Sequence, residues 1–79
     1  MANLPKYTIP IDSEFFRLAL KAAGISQNEL AKALGIDKSS MSLVFSGKRH
    51  LTLKEAHILA IRLSLDLSVV VKRSGELEL

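Results

Sequence analysis

The sequence predicts a small, mainly α-helical domain of four helices, five if one ambiguous stretch is helical, with short strand-forming segments at both ends. Three observations carry this. Apolar residues recur at helical spacing between Ser13 and Leu63. Each helical stretch opens on a Ser, Thr or Asp, and the first three stop at a glycine. After Leu63 the apolar period falls to two.

Residues 1–12 hold Pro5 and Pro10, and Tyr7, Ile9 and Ile11 alternate with polar residues or proline. Pro10 pushes Ile9 toward extended geometry, so this segment is expected to be an arm or strand. Asp12 or Ser13 can cap a first helix running to about Ala23, with Phe16, Leu20 and Ala23 inward, Ala19 beside them, and Gly24 as its stop. Ser26 and Glu29 form an S-x-x-E capping box for a second helix, which buries Leu30, Ala31 and Leu34 and stops at Gly35. Only Ile36 separates Gly35 from Asp37, the expected cap of a third helix over Lys38 to Ser46. Met41, Val44 and Phe45 are its inward face, and Gly47 ends it. Two short helices joined so tightly must cross steeply. Thr52 and Glu55 repeat the capping box for a fourth helix, with Leu53, Ala56, Leu59, Ala60 and Leu63 inward.

Beyond it, Leu65, Leu67, Val69 and Val71 alternate with Ser64, Asp66, Ser68, Val70 and Lys72, which reads as a strand. A short fifth helix capped by Asp66 is the competing reading. The chain is thus divided into an arm (1–12), a helical domain (13–64) and a strand with its tail (65–79).

Composition narrows the function. Seventy-nine residues allow one small core. With no cysteine there is no disulfide or thiolate metal site. The N-terminal stretch lacks the basic-then-apolar pattern of a signal peptide, and no apolar run is long enough to span a membrane; the expectation is a cytoplasmic protein. His50 and His57 stand seven apart, without metal-pair spacing, and are expected in a loop and on a helix surface. Ser46-Gly47-Lys48 lacks the first glycine and the Ser/Thr of a phosphate loop. No enzyme activity and no cofactor are expected. The net charge of +3 is modest, yet Lys32, Lys38, Lys48, Arg49 and Lys54 face one acid, Asp37, in the same stretch. That local excess suits a polyanion.

The outer face of the third helix is the unusual feature. Lys38, Ser39, Ser42, Leu43 and Ser46 are mostly short side chains where a solvated helix would carry Glu and Lys. Short side chains let a helix approach base edges in a major groove about 12 Å wide. The run "GISQNELAKALGI…SSMS…SGK" is similar to the helix-turn-helix of the Cro/repressor-like (XRE) family of bacterial and phage regulators, over about residues 14 to 65. The resemblance implies a lambda-repressor-like fold and sequence-specific binding to double-stranded DNA, most simply as a repressor. It places Lys38, Ser39, Ser42 and Leu43 at base-reading positions. It places Gln27, Ser40, Ser46, Lys48 and Arg49 at phosphate-binding ones.

Two departures stand out. A buried ion pair common in the family is replaced here by Leu20 and Phe45. Ile58 and Ile61 stand where the family is usually polar. Ile58, Ile61, Leu65, Leu67, Val69 and Val71 are therefore expected to form a dimerisation surface giving a homodimer, since an unpaired valine-rich strand needs cover. The tail also resembles that of HipB-type antitoxins, which implies a toxin protein as an alternative partner.

Overall fold

The computed structural model describes residues 11–78. The strand expected at Tyr7–Ile11 lies largely outside the described residues. Five helices are formed among the described residues: α1 (Ser13–Ala23), α2 (Gln27–Leu34), α3 (Lys38–Phe45), α4 (Leu53–Leu63) and α5 (Leu67–Arg73).

The local signals explain where each begins. Asp12 accepts from the Phe15 N–H at 3.1 Å and so caps α1. Ser26 and Thr52 each form a reciprocal capping box, with Glu29 and Glu55. Phe16, Leu20, Leu30, Ala31, Met41, Val44, Phe45, Ala56, Leu59 and Ala60 are buried in one core. Phe16 lies at its centre, edge-on to the half-buried Phe15 with ring centroids 5.3 Å apart.

The structure corrects three expectations. The strand at 65–73 is not formed; the segment is helix α5, the competing reading. Alternation had put Val70 opposite Leu67, Val69 and Val71. The helix instead buries Val70 completely as it packs against α4, and its C-cap residue Ser74 is buried four residues later. Packing against a neighbour outweighs the weak β preference of three valines.

Leu53 is not inward: it is half-exposed, while Leu51 is buried. Leu51 precedes the Thr52 cap and Ala56 is the fourth helical residue, the spacing of a hydrophobic staple, so the residue before the cap takes the core slot. Ala23, the last residue of α1, is exposed as well.

The two ends of the described segment are tied to the rest of the domain at two places. Asp12 is joined to Arg73 by a backbone bond and an ion pair. The Glu78 N–H donates to the Leu51 carbonyl at 2.8 Å, and Thr52 and Glu78 form an isolated parallel bridge.

Candidate nucleic-acid interface

The α2–α3 unit follows from three local decisions. The Ser26–Glu29 box, with bonds of 2.8 and 3.0 Å, starts α2 and leaves Gln27 half-buried in its first turn. Gly35 takes φ 76°, and its N–H and that of Ile36 close α2 on the Lys32 and Ala31 carbonyls. A Cβ there would meet no atom within 4 Å, so the left-handed backbone, not crowding, calls for glycine. Asp37 then accepts from the Ser40 N–H at 2.7 Å and starts α3 at once. That bond holds the Asp37 carboxyl below its ordinary range.

Helix α3 divides into two faces. Met41, Val44 and Phe45 are buried. Lys38, Ser39, Ser42, Leu43 and Ser46 are exposed, so all four residues expected to read bases lie on one solvent face. Leu43 is 43% exposed with no core role. Ser40 is half-buried on the flank.

The five residues expected to bind phosphate are less uniform. Lys48 is exposed on the loop after α3. The Ser46 hydroxyl donates to the Leu43 carbonyl at 3.1 Å, which leaves its oxygen lone pairs rather than its proton for a partner. Arg49 differs most. Its Nη1 and Nη2 each donate to one oxygen of Glu55 at 3.0 Å, a fork-to-fork pair. Glu55 is 9% exposed and also accepts from the Thr52 N–H at 3.0 Å. The Arg49 bonds hold the Glu55 carboxyl low against the opposing effect of burial, and the Glu55 bonds push the Arg49 guanidinium up.

With Arg49 neutralised by Glu55, the positive charge of this region rests on Lys32, Lys38, Lys48 and Lys54, all exposed. Lys32 and Lys38 also line a groove between α2 and α3, with Asn28, Ala31, Ile36, Asp37 and Ser39. Asn28 and Lys32 were not singled out as contact residues from the sequence; only the count of basic residues pointed to Lys32. Glu55 was missed because its capping-box role already accounted for it. The sole further signal is an arginine six residues earlier.

His50 and His57 are exposed, one in the loop and one on α4. No helix among the described residues is long and apolar enough to cross a membrane.

Residues 16–70 match the family model described as helix-turn-helix. No curated protein matches the chain.

Proposed function

The chain belongs to the helix-turn-helix family of the Cro/C1 (XRE) type, whose members are DNA-binding regulators, and on that premise we propose that it is a homodimeric repressor reading its operator in the major groove with α3. The observation that carries this reading is the solvent face of α3: Lys38, Ser39, Ser42 and Leu43 together, short except at the first turn, with no acid among them. Serine hydroxyls give and take hydrogen bonds with base edges. Lys38 reaches guanine O6/N7, and Leu43 meets a thymine methyl.

Gln27, Ser40, Ser46 and Lys48 flank that face and lie along the phosphates in this reading, Ser46 as an acceptor of water-bridged contacts. Arg49, which the resemblance puts in the same group, spends its strongest donors on Glu55.

Dimerisation supplies the two-fold symmetry of a palindromic operator. The expected surface narrows in the folded chain. Ile58 and Leu65 pack on the monomer core and Val69 is half-buried. Ile61, Leu67 and Val71 remain 66%, 37% and 36% exposed, and they are the proposed contact. The antitoxin alternative leaned on a C-terminal strand; with α5 in its place, no observation favours a toxin partner.

The test is selection of duplexes from a random pool by the wild type and by Lys38→Ala and Ser42→Ala. Each variant is expected to lose about 1–3 kcal/mol at one base pair and to relax preference there. Equal loss at every operator position would move the residue to the phosphate group. Failure of the wild type to enrich any sequence would overturn the reading.

A further inference from the structure

Helix α3 buries Met41, Val44 and Phe45 in the core. Its main helical neighbour is α2, whereas α4 packs with α1, α2 and α5. The C-terminal end of α3 is packed by Val44 and by Phe45, whose ring centroid lies 6.4 Å from that of Phe16 in α1, and two further ties outside helix packing fix its angle. One is short: the Ser13 hydroxyl of α1 donates to the Phe45 carbonyl. The other runs through the following loop. The Lys48 and Arg49 N–H groups both donate to the Leu43 carbonyl, at 2.8 and 3.2 Å. The Arg49 guanidinium then grips Glu55 of α4 by two bonds of 3.0 Å.

Glu55 is in turn held by the Thr52 N–H, and the Glu55 N–H donates back to the Thr52 hydroxyl at 3.1 Å. Arg49 thus links a backbone carbonyl of α3 to the first turn of α4, which is itself built into the core through Ala56 and Leu59. A two-pronged charged bond sets angle as well as distance.

We infer that Glu55 and Arg49 are positioning residues for DNA reading: the pair sets the angle at which α3 meets the groove, and Arg49 acts through Glu55 rather than on a phosphate. The inference rests on the proposed reading by α3. It has a distinct consequence. Base-edge hydrogen bonds are short and directional, so a small rotation of α3 weakens them. Attraction to the phosphates is long-ranged and tolerates the same rotation. Loosening the pair should therefore lower the ratio of specific to non-specific affinity, not the salt-dependent attraction common to all sequences.

The experiment uses the full chain with a duplex selected from a random pool and a scrambled duplex of equal length. Binding is titrated at several salt concentrations, and thermal melting confirms folding of each variant. Arg49→Lys keeps the charge and loses the fork. Glu55→Gln keeps an acceptor for the Thr52 N–H and loses the charge. Each should reduce the affinity ratio about tenfold, within the cost of one mismatched base pair, and in Arg49→Lys, which keeps both charges, the salt slope should be unchanged.

Lys48→Ala, the comparison, should weaken both duplexes alike and lower the slope by about 0.9. A wild-type ratio in Arg49→Lys would overturn the inference; so would an Arg49→Ala protein whose slope falls by about 0.9 with its ratio intact. Should Glu55→Gln fail to fold, Arg49→Lys decides alone. Equal binding of both duplexes by the wild type would overturn the DNA reading itself.

Discussion

Asp12 and Arg73 stand 61 residues apart in the chain and meet twice: Nη1 lies 2.8 Å from Oδ2, and the Asp12 N–H donates to the Arg73 carbonyl at 2.8 Å. The guanidinium also sits 4.7 Å from the Phe15 ring centroid. The end of α5 is thereby fastened to the cap of α1. The ion pair is well exposed, 50% and 38% for the two side chains, so solvent screens it. The backbone bond does not depend on the side chain.

Arg73→Ala is accordingly expected to shift the urea midpoint only slightly. Val70→Ala removes two methyl groups from a fully buried site and should cost about 2 kcal/mol. Equilibrium unfolding of both variants checks the ranking. A neutral Val70→Ala would mean that α5 is not docked on α4 in solution.

Ser64 ends α4 in the left-handed region at φ 57°, among the described residues the one non-glycine to do so. Its N–H and that of Leu65 satisfy the Ile61 and Ala60 carbonyls, the work usually given to glycine. Ser64→Gly should remove the Cβ strain and stabilise the domain by up to about 1 kcal/mol, net of the entropy glycine adds to the unfolded chain. Chemical denaturation measures it. A destabilised variant would show that serine makes a compensating contact.

Ile61 lies on the outer side of α4 and is 66% exposed. Ile61→Lys should therefore leave the monomer fold intact, within about 0.5 kcal/mol. If Ile61, Leu67 and Val71 form the dimer contact, the variant sediments as a monomer and binds a single half-site weakly. Wild type that is monomeric at tens of micromolar defeats the dimer proposal.

Acid should loosen the loop after α3 before the core melts. The Glu55 carboxyl is held below its ordinary value of 4.5, chiefly by Arg49. A lowered folded-state pKa means that the unfolded chain binds more protons in this window, so stability rises with pH there. The contribution is complete above the ordinary carboxylate range and is lost as pH falls through the lowered value. Unfolding free energy measured between pH 6 and pH 3 (a span of about three units) should fall less steeply in Glu55→Gln than in the wild type. Identical slopes would mean that the Arg49 pair does not survive in solution.

The helix-turn-helix was legible because its signals are local. Ser26 with Glu29, Gly35, Asp37, and Thr52 with Glu55 each satisfy or release backbone groups within a few residues, and all occur as their spacing predicts. The exposed face of α3 followed from the same logic, since burying Met41, Val44 and Phe45 leaves Lys38, Ser39, Ser42 and Leu43 outside.

Residues 65–73 could not be settled this way. A short run of valine and leucine satisfies a period of two and is also compatible with one helical turn; the vacant site on α4, filled by Val70, decided between them. Arg49 was ambiguous for a related reason. A lysine and an arginine side by side in a loop look alike as charges. Only the fold brings the mostly buried carboxylate of Glu55 within 3.0 Å of one of them and leaves the other, Lys48, in solvent. Hydrogen bonding within helices and at their caps is set by near neighbours in the chain and so can be read along it, whereas the partner of a long charged side chain is set by which elements pack together.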